Sequence, residues 1–158
     1  MTGGSYARVA ATFAASSGGS RSLSSAIGLS IPAGTTVRWL GLWNSGTYLG
    51  YAPNASNPRE FVVNTATDIF TCPAHGYSNG TKVTIYGDTV PAPLTEGNVY
   101  FVVNATTDTF QISATSGGSV IDITGTGGTG CVVSTITEEV YGGAGTHTIS
   151  AWSIGLPD

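Results

Sequence analysis

Apolar residues in this chain recur at every second position. "TFQIS" (Thr109–Ser113) places Phe110 and Ile112 on one side, and "KVTIYG" (Lys82–Gly87) does the same with Val83 and Ile85. Successive side chains on a strand point to opposite faces, so this period marks half-buried β-strands. The same texture fills "YARVAATFA", "SSAIGLSI", "TTVRWLGLW", "YLGYA", "EFVV", "IFTC", "VYFVV", "VIDITG", "CVVSTI" and "THTISAWSI". These segments are rich in Val, Ile, Thr, Tyr and Phe, and Gly, Pro, Asn and Ser separate them. Ala10–Ala15 is the best helical stretch, and it is short and runs into Ser and Gly. Turn-bounded strands at a spacing of about ten residues predict an all-β sandwich or barrel.

One pattern occurs twice. "FVVNTATDIF" (Phe61–Phe70) returns as "FVVNATTDTF" (Phe101–Phe110). In each copy two strand-forming stretches flank Asn-x-x-Thr-Asp, and Asn and Asp satisfy tight turns with their own side chains. Each copy therefore predicts a β-hairpin. The residues that follow differ, "TCPAHGYSNG" against "QISATSGGSV", so a duplicated ligand site is disfavoured.

The texture changes along the chain. The segment from residue 1 to about 60 holds Trp39, Trp43 and the Pro-bounded loop "APNASNP". Residues 61–136 are Thr-rich and contain both copies, and the tail returns to a Gly-rich turn, a strand and Trp152. We expect a discontinuous antiparallel β-sandwich host domain, 1–60 with 137–158, interrupted by a second β unit at 61–136. Insertions succeed where the ends of the host chain lie close together. Cys72 and Cys131 open and close the inserted segment, which predicts neighbouring strands with the two thiols side by side, bonded or free.

Composition narrows the function. Only 9% of the 158 residues are charged, and the net charge is −4. Phosphate binding needs several Lys or Arg on one face, and none cluster, so nucleic acid is not an expected partner. No stretch approaches the roughly 18 apolar residues of a spanning helix, and no membrane association is expected. The N-terminus lacks a basic region followed by an apolar run, which predicts synthesis in a cytoplasm without a signal peptide.

Catalytic chemistry has few candidates. His75 and Asp88 could join one of many serines in a triad, but "AHGYSNG" is better explained as a turn with Gly76 and Gly80 at positive φ and Tyr77 covering a core. Glu138 and Glu139 are adjacent, so on a strand they face opposite ways and cannot act as a pair on one glycosidic bond. Asp108 and Asp122 lack a calcium-binding pattern around them. Neither an enzyme nor a cofactor is expected. Trp39 and Trp43 lie at i and i+4 on one strand, hence on one face. Buried, they are core or a subunit contact; exposed, they are a platform for sugar stacking. Leu40 and Leu42 make the opposite face apolar too, which predicts a central strand or one covered by a partner.

"AHGYSNGTKVTIYG" (Ala74–Gly87), "LTEGNVYFVVNATTDTFQIS" (Leu94–Ser113) and "GGSVIDITGTGG" (Gly117–Gly128) together resemble the first-catalytic-cysteine-half-domain module of ubiquitin-activating enzymes. That resemblance implies a small β-barrel for the inserted segment, and relatives of the module recur in bacteriophage tail and virion proteins. The outer segment, with its Gly-Gly-x-Tyr-Ala-Arg opening (Gly3–Arg8) and "LGLW" (Leu40–Trp43), is similar to small phage virion proteins labelled tail-fibre-like. The chain begins almost at that opening, which leaves room for a strand from a neighbouring chain. What the resemblance implies is a non-enzymatic virion structural protein on the particle surface, made in the host cytoplasm. A capsid decoration protein fits better than a fibre, because no shaft repeat or coiled coil is present. A tail-fibre or minor tail protein is the near alternative, and a carbohydrate-binding module the alternative from another class. The expected partners are major capsid or tail proteins and further copies of the chain, as in a trimer, with a host surface glycan as a further candidate. Tyr6, Arg8, Phe13, Trp39 and Trp43 are the expected subunit-contact residues.

Overall fold

The computed structural model describes residues 7–54 and 57–155. Its strands are β1 (Ser20–Ser22), β2 (Ile27–Ile31), β3 (Thr35–Val37), β4 (Trp39–Asn44), β5 (Thr47–Pro53), β6 (Arg59–Glu60), β7 (Val62–Asn64) and β8 (Ile69–Thr71). They continue with β9 (Lys82–Tyr86), β10 (Tyr100–Val103), β11 (Thr109–Ser113), β12 (Val132–Thr135), β13 (Glu139–Tyr141), β14 (Gly145–Ile149) and β15 (Ser153–Gly155). No helix occurs among the described residues, and every strand pairing with a described register is antiparallel, so the fold is all-β.

The chain divides into two compact units, 1–36 with 139–158, and 37–138. The boundaries expected from sequence, 60/61 and 136/137, both fall inside the second. That unit contains the β4–β5 hairpin and a seven-stranded sheet in the order β6-β12-β9-β10-β11-β8-β7. Its end strands, β6 and β7, are separated in the chain by Phe61 alone. The sheet therefore bends back until its two edges meet at one residue.

The repeated pattern explains four adjacent strands of this sheet, β10-β11-β8-β7. β7–β8 and β10–β11 are hairpins, as the Asn-x-x-Thr-Asp turns predict. In the first, the Asn64 side-chain oxygen accepts the Ala66 amide at 2.9 Å, and Asp68 takes φ 57°. In the second, Asn104 takes φ 51°, and Thr106 accepts the Thr109 amide at 3.0 Å. The two copies then pair with each other. β8 runs against β11 with Phe70 opposite its counterpart Phe110, and Thr71 opposite Thr109. The two Phe rings stack at 5.3 Å, 13° from parallel. Phe61 packs on Phe70 at 5.2 Å, and His75 and Tyr77 pack edge-on to Phe110. Val83, Ile85, Val102, Ile112, Ile123 and Val133 complete a core closed to solvent.

The expected pairing of the cysteine strands is not made. β8, which precedes Cys72, lies between β11 and β7, whereas β12, which follows Cys131, lies between β6 and β9. The strand that meets the closing strand is β6, with Arg59 opposite Val133. Both thiols are free and buried, and Cys131 Sγ donates to the Thr89 carbonyl at 2.8 Å.

The other unit consists of the two-stranded ribbons β1–β15, β2–β14 and β3–β13, except that the last residue of β3, Val37, belongs to the larger unit. β2–β14 alternates cleanly. Ile27, Leu29 and Ile31 share a face with Ile149 and His147, while Gly28, Ser30, Thr146 and Thr148 lie on the exposed side. Of the described residues of this unit, only Ile31, His147 and Ile149 are buried.

The Phe70–Phe110 stack predicts that Phe110→Ala destabilises the protein by about 3–5 kcal/mol, the cost of deleting a fully enclosed ring. Val62→Ala, on an edge strand and 73% exposed, should stay within about 0.5 kcal/mol of wild type. Urea unfolding followed by circular dichroism checks both, and equal effects would contradict this account of the core.

Candidate functional site

The β4–β5 hairpin brings Trp39, Trp43, Tyr48 and Tyr51 together. Its turn is Ser45-Gly46, with Ser45 at φ 54°, the left-handed geometry of a tight hairpin. Trp39 lies opposite Pro53 and Gly41 opposite Tyr51; the register then shifts, so Trp43 meets Tyr48 and Leu49 is the extra residue of a β-bulge. Cross-strand partners share a face. Trp39, Gly41, Trp43, Tyr48 and Tyr51 therefore form one aromatic surface around a glycine. The opposite face, with Leu40, Leu42 and Ala52, is half-buried.

The rings are ordered by contacts with one another. Trp39 meets Tyr51 edge-on at 5.2 Å and 83°, and Trp43 meets Tyr48 at 5.0 Å and 60°. Trp43 and Tyr48 lean over Gly41, where an added Cβ would lie 3.3 Å from Trp43 Nε1 and 3.7 Å from a Tyr48 ring carbon. Trp43, Tyr48 and Tyr51 remain 41, 49 and 40% exposed, whereas Trp39 is half-buried. The Tyr51 hydroxyl donates to Glu96 Oε1 at 3.1 Å. Burial, then the hydrogen bond to Glu96, push its pKa up to about 12, so it remains a protonated donor at neutral pH.

A polar lattice roots the hairpin. The Asn54 amide donates to the Arg38 carbonyl at 2.7 Å, its side chain donates to the Thr137 carbonyl at 3.1 Å, and the Thr137 amide donates back to Asn54 at 3.0 Å. Beside it, Glu138 accepts from both Arg38 and Lys82. Its hydrogen bond from Lys82 and then that from Arg38 hold its carboxyl below the ordinary value, against the opposing effect of burial.

The remaining sequence candidates lie elsewhere. Tyr6 is outside the described residues. Arg8 is exposed, and half-buried Phe13 bridges to Leu23. His75 is buried with both ring nitrogens engaged. Nδ1 accepts the Tyr77 amide at 2.8 Å, which leaves Nε2 to carry the proton, 3.3 Å from the Thr109 carbonyl. Gly76 and Gly80 take φ 71° and 88° in the turn around it, as expected, and Tyr77 is buried. Asp88 is exposed and Asp108 caps a loop through the Ala74 amide at 2.8 Å. Glu138 and Glu139 do take separate partners. Glu139 contacts His147 Nδ1 at 2.8 Å and accepts from the Tyr141 hydroxyl at 2.8 Å. No group of three or more His, Cys, Asp or Glu that could hold a metal occurs among the described residues.

Among the described residues β4 is also not central: it pairs with β5 alone. The apolar run "WLGLW" marks a hairpin strand with one half-covered face and one open aromatic face. Sequence reasoning missed Tyr48, Tyr51 and Glu96. The Ser-Gly turn offered a signal for Tyr48, since a two-residue loop sets it across from Trp43. Glu96 comes from a loop 45 residues beyond its partner, and no local pattern marks it. Comparison of the chain with known protein families, curated proteins and solved structures finds no match.

The ion-pair lattice predicts that Glu138→Gln costs about 1 kcal/mol, as expected for a partly exposed network. Because folding lowers the Glu138 pKa, its contribution is complete above the ordinary carboxylate value of 4.5 and is lost as pH falls through the folded value. Denaturation of the two proteins should differ near neutral pH and converge in acid; a gap that widens in acid would contradict the sign.

Proposed function

We propose that this chain is a non-enzymatic structural subunit on the surface of a bacteriophage particle, foremost a capsid decoration protein. It works by binding other virion subunits, including further copies of itself. The observation behind this reading is how little the smaller unit encloses: Ile31, His147 and Ile149 are its only buried residues among those described. Two-stranded ribbons are marginal in water by themselves, and among the described residues these have no further strand alongside them. Val9, Val140 and Ile154 stay 43, 73 and 36% exposed on it. A neighbouring subunit that extends these ribbons supplies both the missing pairing and the missing cover. Few charges oppose such packing, and the resemblance of both segments to phage virion modules supplies the setting. Arg8 and Phe13, among the sequence candidates, lie on this unit and are kept as contact residues.

Sedimentation of the purified full-length chain should give a discrete oligomer. Val140→Asp should shift it toward monomer while the circular dichroism of the sheet stays unchanged, since an exposed substitution costs the folded chain about 0.5 kcal/mol or less. Antibody labelling of particles should place the protein on the capsid. Label confined to the tail would move the reading to the tail alternative, and a protein missing from the particle would overturn it.

A further inference from the structure

We propose that the aromatic face of the β4–β5 hairpin binds a neutral saccharide. Sugars are amphiphilic in the way this surface is. The C–H face of a pyranose packs on an aromatic ring, and its rim of hydroxyls needs acceptors and donors beside that ring. Here Trp43 and Tyr48 stand at one end of the face and Trp39 with Tyr51 at the other, with Gly41 between them contributing no side chain. At the second end the exposed Glu96 carboxylate holds the Tyr51 hydroxyl at 3.1 Å. One of its oxygens is engaged by Tyr51, and the carboxylate has further lone pairs to accept from vicinal sugar hydroxyls.

Size and charge favour this occupant over another protein. Aromatic side chains carry about 150–250 Å² each, so the exposed fractions of Trp43, Tyr48 and Tyr51 offer on the order of 300 Å² of ring surface. A stable protein interface takes about 800 Å² from each partner. The patch is too small for that and wide enough for one or two sugar rings. Neither β4 nor β5 contains Lys or Arg, and Arg38, just before β4, is committed to Glu138. With Glu96 at its edge the site repels uronic and sialic acids. The ligand class is therefore an uncharged, polyhydroxylated glycan. The hairpin belongs to the 37–138 unit, so this proposal stands apart from the subunit contact placed on the other one.

The test is titration of the full-length chain with maltohexaose, cellohexaose, mannohexaose and a galactan hexaose, read by calorimetry and tryptophan fluorescence, with polygalacturonate as the anionic comparator. At least one neutral hexaose should bind, with a change in tryptophan emission, and polygalacturonate should not. Trp43→Ala and Tyr48→Ala should each weaken binding about tenfold or more, the loss expected for one stacked ring. Glu96→Gln should weaken it less, and Val140→Asp should leave it unchanged. Near-ultraviolet circular dichroism of each variant confirms an intact fold. No binding of any neutral sugar at about 10 mM, far above a millimolar dissociation constant, would overturn the proposal. Preference for polygalacturonate, or binding that survives both aromatic substitutions, would overturn it equally.

Discussion

Phe70 and Phe110 face each other across β8 and β11, and the larger unit is arranged around that contact. Both rings are closed to solvent. Each belongs to one copy of a repeated hairpin, and their antiparallel pairing fixes the register of both copies at once. A shift of one residue would turn every apolar side chain of a copy to the wrong face. Phe61 packs on Phe70 and is also the single residue between the sheet's end strands. The same aromatic cluster thus joins the two copies and adjoins the place where the sheet's edges come together.

That framework positions the hairpin that presents the candidate site. β9 carries Lys82 and β12 runs on to Thr137 and Glu138, and these residues grip Arg38 and Asn54 at the two feet of β4–β5. A buried core unit of this kind gives a small surface feature a fixed geometry. The rings of Trp39, Trp43, Tyr48 and Tyr51 are then ordered by edge-on contacts and by a glycine that leaves room for them. A binding face built on paired strands is more rigid than one built on loops, which suits recognition without large conformational cost.

The sequence exposed what is local. Alternation located the strands, and the Asn-x-x-Thr-Asp turns identified both repeated hairpins, because turn chemistry is satisfied within a few residues. It also marked "AHGYSNG" as a glycine turn with Tyr77 over the core; that His75 is buried within it comes from the structure. What stayed hidden is set by pairing across long stretches of chain. The meeting of Phe70 with Phe110, the role of β6 as the neighbour of β12, and the reach of Glu96 to Tyr51 depend on which edges find each other. The cysteine expectation failed for this reason: it takes the strand at Cys72 as the neighbour of the closing strand of the 61–136 segment, whereas the strand that meets that closing strand begins at Arg59. The apolar run around Trp39 and Trp43 reads as a central strand or one covered by a partner, and it is the first of these that the pairing of β4 with β5, its one strand neighbour among the described residues, removes.

The 37–138 unit encloses its own core, and the smaller unit is proposed to gain its cover from neighbouring subunits. Hydrogen exchange on the full-length chain measures this directly, by comparing dilute monomer with the assembled oligomer. Amides of Val83, Val102 and Phe110 should exchange only through global unfolding in both states. Those of β1, β2, β14 and β15 should exchange rapidly in the monomer and become protected on assembly. Equal, strong protection of both units in the dilute monomer would contradict the account.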